Sequence, residues 1–129
     1  HDLWDDGMVL RDGSGLSDRS RVTPSVLARA LLLAVHTPEL RAVADGLPVA
    51  GENGTLKDRF DDSSEAIARG NVRAKTGTLV GVASLAGYLT TADGARLVFA
   101  AMANGTAGQN TAYNWLDRSA AALVRCGCR

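Results

Sequence analysis

The chain has 129 residues, 46% of them hydrophobic and 22% charged, which suits one ordinary globular domain or a piece of a larger one. Such a chain can bury a core without help from a disulfide or a metal. Fourteen basic residues balance fourteen acidic ones, which excludes a nucleic-acid-binding tail and speaks against attraction to membrane phosphate.

No apolar run reaches the roughly 18 residues of a membrane-spanning helix. His1-Asp2-Leu3 is neither a natural start nor a signal peptide, so the chain is expected to begin inside something longer. Cys126 and Cys128 close the chain as Cys-Gly-Cys. Two thiols cannot make a four-ligand zinc site, so they read as tail thiols or as half-cystines with partners elsewhere.

Residues 1–22 are polar and turn-rich. Asp12-Gly13-Ser14-Gly15-Leu16-Ser17 reads as a shaped loop, its glycines supplying positive φ and close backbone approach. Thr23-Pro24 opens a helix, with Thr23 as N-cap and Pro24 at the first helical position. Val26, Leu27, Ala30, Leu31 and Ala34 recur at helical spacing, and Thr37-Pro38 stops the run.

A second short helix is predicted from Pro38 to Ala44, then a long loop from Gly46 to Gly54 and a helical turn from Leu56 to Phe60. Residues 61–70 are polar and read as an exposed loop. From Asn71 the period changes to two. Val72, Ala74, Thr76 and Thr78 alternate with Arg73, Lys75 and Gly77, as in a half-buried strand. Ala83 to Thr91 is a second strand, with Leu85, Gly87 and Leu89 on one face. Thr91-Ala92-Asp93-Gly94 is a hairpin turn.

Ala95 to Asn104 is a third strand, so apolar that burial on both faces is expected. Gln109 to Val124 closes the chain as a helix, its apolar stripe made of Ala112, Trp115, Leu116, Ser119, Ala120 and Leu123. Trp115 is expected to anchor that helix on the sheet. There is no repeat and no internal boundary, so residues 1–129 read as one unit. The third strand has no sequence-adjacent partner on its far side, and a bare apolar edge implies that something else pairs there.

Lys75-Thr76-Gly77-Thr78 carries the sharpest chemical signal. An ammonium, two hydroxyls and a glycine on one strand make a carboxylate-binding ledge, and a ligand backbone can approach closely where no side chain stands. The plain alternative is an exposed strand lysine beside a turn. The other candidates carry less. Ser14 has glycines on both sides rather than two residues away, so it is a turn serine and not a nucleophile elbow. His36 closes a helix, where a partly cationic ring suits the dipole. Asp58, Asp61, Asp62 and Glu65 lack calcium-loop spacing and read as a solvated face. Trp4 is left between a surface residue and a sugar-stacking platform.

Lys-Thr-Gly is one of the signatures of penicillin-binding proteins and class A β-lactamases. Its context here comprises Asp12-Gly13-Ser14-Gly15-Leu16-Ser17, Leu47-Pro48-Val49-Ala50-Gly51, Gly54-Thr55-Leu56, Arg59-Phe60, Gly70 through Leu79, and Leu85-Ala86-Gly87-Tyr88. In that order, the motifs resemble the D-alanyl-D-alanine carboxypeptidase/endopeptidase family, the class C low-molecular-mass penicillin-binding proteins of peptidase S13 type. The resemblance runs from about Asp12 to Asn104.

The resemblance implies an α+β chain forming the C-terminal part of the penicillin-recognising, serine β-lactamase-like fold. Three antiparallel strands and packing helices would be completed by two strands from an N-terminal part. One of those strands would pair with Ala95–Asn104, and the motif strand would edge the cleft.

The resemblance also implies acyl-enzyme chemistry on peptidoglycan stem peptides ending in D-Ala-D-Ala, and acylation by β-lactams, with no cofactor and no metal. Lys75, Thr76 and Thr78 would hold the substrate carboxylate. The Thr78 backbone N–H would be one oxyanion donor. Gly77 would leave room for the substrate backbone, and Leu16 would line the cleft.

The family's Ser-x-x-Lys and Ser-x-Asn motifs do not occur in these residues. The expected partner is therefore an N-terminal part of the same protein carrying both, and the expected location is the bacterial cell envelope. Two other readings stay open: a non-catalytic wall- or β-lactam-binding remnant, and a β-lactamase of the same fold. The balance between carboxypeptidase and endopeptidase activity is also open.

Overall fold

A computed structural model describes residues 3–127; His1, Asp2 and Cys128 lie outside the described residues. The elements are α1 (Pro24–His36), α2 (Arg41–Asp45), β1 (Val72–Leu79), β2 (Val82–Thr90), β3 (Arg96–Asn104) and α3 (Gln109–Arg125), with short 3-10 turns at Pro38–Leu40, Gly54–Leu56 and Ala66–Ala68. The strands form one antiparallel sheet in the order β1-β2-β3. Helix α1 packs on β2 and β3, and α3 packs on β2, β3 and the Ala66–Ala68 turn.

Helix α1 begins as its sequence dictates. Thr23 is extended, its hydroxyl accepts from the Val26 N–H at 3.3 Å, and Pro24 fills the first helical position. Asp5 adds a contribution not visible in the linear sequence. Its carboxylate accepts from the hydroxyls of Thr23 at 2.8 Å and Ser25 at 3.3 Å, and it pairs with Arg29. These bonds hold Asp5 below the usual carboxylate range, the Arg29 bond contributing most, and a negative charge suits a helix N-terminus.

The hairpin between β2 and β3 also follows its signal. Gly94 takes φ +81°, and Thr91 closes the turn by accepting the Ala95 N–H at 2.8 Å on its hydroxyl. Cross-strand register fixes Gly87 opposite Ala74. A Cβ at Gly87 would fall far inside contact with the Arg73 carbonyl and the Ala74 backbone. The two strands approach closely only because no side chain stands there.

Several expectations are corrected. Residues 46–54 are not only loop: Val49 bridges to Arg73, so Pro48–Ala50 runs beside the first half of β1. Residues 61–70 are not uniformly exposed, since Glu65 and Ala68 are buried. Burial reaches only Phe99 in β3; the rest of that strand is half-buried or exposed, because its outer edge has no partner among the described residues.

The buried stripe of α3 is Ala112, Leu116, Asp117, Ala120, Ala121 and Val124. It is rotated from the predicted one, and Trp115 is 51% exposed rather than anchoring the helix. The buried face takes in apolar Ala121 and Val124 together with Asp117, whose carboxylate pairs with Arg59. In the Asp12–Ser17 loop only Gly15 has positive φ, and a Cβ at Gly13 or Gly15 would meet nothing. The loop is shaped instead by the Asp12 carboxylate, which accepts from the Leu16 N–H at 2.9 Å and from the Ser14 hydroxyl.

Candidate functional site

The Lys75–Thr78 segment occupies the second half of β1, at the edge of the sheet. Two hydrogen bonds fix the direction of its backbone. The Ala74 N–H donates to the Pro48 carbonyl at 2.9 Å, and the Val72 carbonyl accepts from the Ala50 N–H at 2.9 Å. Even-numbered residues of β1 therefore aim their backbone groups away from β2. Strand alternation puts the Thr76 and Thr78 groups on the same outer side. The Pro48–Ala50 segment covers that side at Val72 and Ala74 and no further. Past Ala74 the edge has no strand partner among the described residues.

Lys75 is exposed and its side chain starts on the opposite face from Val72 and Ala74. Its Nζ curls to the open edge and donates to the Thr76 carbonyl at 2.9 Å. The ammonium thus sits beside the outward-facing backbone groups. The Thr76 hydroxyl donates to Thr55 Oγ1 at 3.0 Å, and the Thr78 hydroxyl lies 2.9 Å from the Tyr113 hydroxyl of α3. Gly77 stands close to a side chain of β2. A Cβ there would collide with the hydroxyl of Ser84, its cross-strand partner. The arrangement can bind an anion at an open strand edge through one ammonium, a hydroxyl and a backbone N–H.

Leu16 stands apart from this group. It is 73% exposed, and no hydrogen bond among the described residues ties its loop to β1. The strand brings Lys75, Thr76, Gly77 and Thr78 together and leaves Leu16 on a separate loop.

Beneath the edge lies a charged cluster that the linear sequence hides. Arg59 clamps Asp117 with two bonds, Nε to Oδ2 at 3.0 Å and Nη2 to Oδ1 at 2.5 Å, with both side chains largely buried. The same guanidinium stacks 4.8 Å from the centre of the Tyr113 ring. Burial pushes the Asp117 carboxyl above its ordinary range despite Arg59. Burial does the same to Glu65, reinforced by Asp117, while Arg118 offers one contact at 3.5 Å. Asp61 and Asp62 are exposed, as a solvated face requires, whereas Glu65 departs from that reading. Arg59, Tyr113 and Asp117 were not singled out for a site because their pairing spans 58 positions in the chain.

Comparison with known proteins decides the family. The model of the D-Ala-D-Ala carboxypeptidase 3 (S13) family matches residues 4–123. The chain belongs to the S13 peptidase family. It is 43% identical over 125 residues to carboxypeptidase DacB of Mycolicibacterium smegmatis, covering 95% of this chain and 27% of that protein. It is 40% identical over 107 residues to a D-alanyl-D-alanine carboxypeptidase of Actinomadura, covering 79% of this chain and 19% of that one.

Among solved structures, penicillin binding protein 4 of Haemophilus influenzae in complex with a β-lactam superposes with a TM-score of 0.77 at 27% identity, over 92% of this chain and 28% of that chain. This S13 chain therefore spans about a quarter of the length of the relatives it matches, 27% of the M. smegmatis protein. The α+β sheet-and-helix architecture described above is the one that part of the family shares.

Proposed function

We propose that this chain is the part of a serine-type DD-carboxypeptidase/endopeptidase that presents the substrate-binding strand edge. The observation that carries the reading is the outward aim of the Thr76 and Thr78 backbone on an unpaired edge, with the Lys75 ammonium held beside it. A stem peptide ending in D-Ala-D-Ala would lie along that edge. Lys75 and Thr78 would receive its terminal carboxylate, with Thr76 shaping the ledge. The Thr78 N–H would stabilise the oxyanion as the peptide carbonyl is attacked.

The nucleophilic serine, its Ser-x-x-Lys lysine and the Ser-x-Asn motif would come from a part of the protein outside these 129 residues. That part would also pair with the bare outer edge of β3. Acylation of the serine would release the terminal D-Ala, and water would then free the enzyme. Such a substrate would place the protein in the bacterial cell envelope.

The direct test is product release. The full-length protein should liberate D-Ala from a synthetic D-Ala-D-Ala-ended stem peptide, and benzylpenicillin should stop it in a time-dependent manner. Binding of the peptide without D-Ala release would instead mark a non-catalytic wall-binding protein. Rapid, repeated hydrolysis of the penicillin would mark a β-lactamase.

A further inference from the structure

The Thr78 hydroxyl faces two demands. To bind a carboxylate it must donate its one hydrogen outward, because a carboxylate can only accept. Yet it sits 2.9 Å from another hydroxyl, Tyr113, to which it could donate instead. The geometry of the neighbours favours one direction. A phenol is the stronger donor of the two, and the Tyr113 ring is held by the Arg59 guanidinium at 4.8 Å. Arg59 is itself fixed by its two bonds to buried Asp117.

The ring is thus braced by Arg59, with its hydroxyl 2.9 Å from that of Thr78. If Tyr113 donates to the Thr78 oxygen, the Thr78 hydrogen is left to point at the open edge. Such chained hydroxyls also polarise one another.

We propose that Tyr113 is a positioning residue that orients the Thr78 hydroxyl as a donor to a ligand carboxylate. This rests on the carboxylate-binding reading of the β1 edge. Tyr113 does not touch the ligand; it acts through Thr78.

The test uses the full-length protein in four forms: wild type, Tyr113→Phe, Thr78→Val and the double variant. The probes are benzylpenicillin and its methyl ester, which lacks the free carboxylate. Phenylalanine keeps the ring over Arg59, so the melting temperature should not move. Tyr113→Phe should slow acylation by the free acid roughly threefold to tenfold, the worth of one hydrogen bond. It should slow the reaction with the ester less, because a neutral ester carbonyl accepts a weaker hydrogen bond than a carboxylate. In the Thr78→Val background it should have no further effect, since the hydroxyl it orients is gone.

An unchanged rate with the free acid would overturn the proposal, and so would an equal loss in both backgrounds. Neither result would disturb the carboxypeptidase reading, because wild type would still be acylated. A wild-type protein that no penicillin acylates would overturn both.

Discussion

Replacing Lys75 by alanine in the full-length protein is expected to slow acylation by penicillin about a hundredfold or more, the scale of losing one preorganised electrostatic contact at a reacting centre. The melting temperature should barely change. Lys75 is exposed, and the one hydrogen bond of its side chain among the described residues is to the carbonyl of its own neighbour, Thr76. Surface substitutions of that kind usually stay within about 0.5 kcal/mol. The large kinetic effect and small stability effect together separate a ligand-binding lysine from an ordinary solvated one. Lys75→Arg is a useful companion, because a planar fork cannot reproduce a compact ammonium curled against a strand edge. Equal acylation rates for wild type and Lys75→Ala would remove Lys75 from the site.

The second large effect is structural. Asp117→Ala is expected to destabilise the protein by about 3–5 kcal/mol, because it strands a buried guanidinium. Arg59 would lose its two hydrogen bonds to Asp117. The neighbouring Phe60 is fully buried and holds a left-handed φ of +60°, a conformation that a bulky residue keeps only when its surroundings impose it. Thermal or denaturant unfolding of the full-length variant checks the prediction. Arg59→Met combined with Asp117→Leu should recover much of the loss, since it removes both charges from the interior. A loss under about 1 kcal/mol for Asp117→Ala would show that water reaches and solvates Arg59.

The cluster has a pH signature of definite sign. Asp117 and Glu65 are both raised from their ordinary values of 3.8 and 4.5. The folded state therefore takes up these protons at a higher pH than the unfolded chain. This contribution grows as pH falls through the raised values and is complete below the ordinary ones. Asp5, Asp12 and Asp62 act oppositely. They are lowered from 3.8 by hydrogen bonds, so their contribution is lost in stronger acid.

The local elements were legible because their causes are local. Thr23-Pro24 starts α1, Asp93-Gly94 turns the hairpin, and the alternation of Val72 and Ala74 marks a half-buried strand. The alternation fades at Thr76 and Thr78, where burial gives way to an open edge. That loss of pattern is itself the mark of the candidate site. What stayed hidden depends on residues distant in sequence. The apolar stripe expected for α3 includes Trp115 and omits polar Asp117. In the fold Asp117 lies on the buried face, paired with Arg59 beside Ala121 and Val124, and Trp115 lies outside it. Glu65 was hidden for the same reason, since α3 covers it through the Ala66–Ala68 turn. The closeness of the Ser84 hydroxyl to Gly77 could be seen only once the register of β1 on β2 was known.

One measurement bears most directly on the claim that this chain supplies the binding edge while the nucleophile comes from elsewhere in the protein. The full-length protein is treated with a reporter-tagged penicillin, digested, and the adduct is located by mass. The adduct is expected on a serine of a Ser-x-x-Lys motif outside residues 1–129, and Lys75→Ala should sharply reduce its yield at short times. An adduct on Ser14, Ser84 or any other serine of this chain would contradict the division of roles, and the absence of any adduct would contradict the acyl-enzyme function itself.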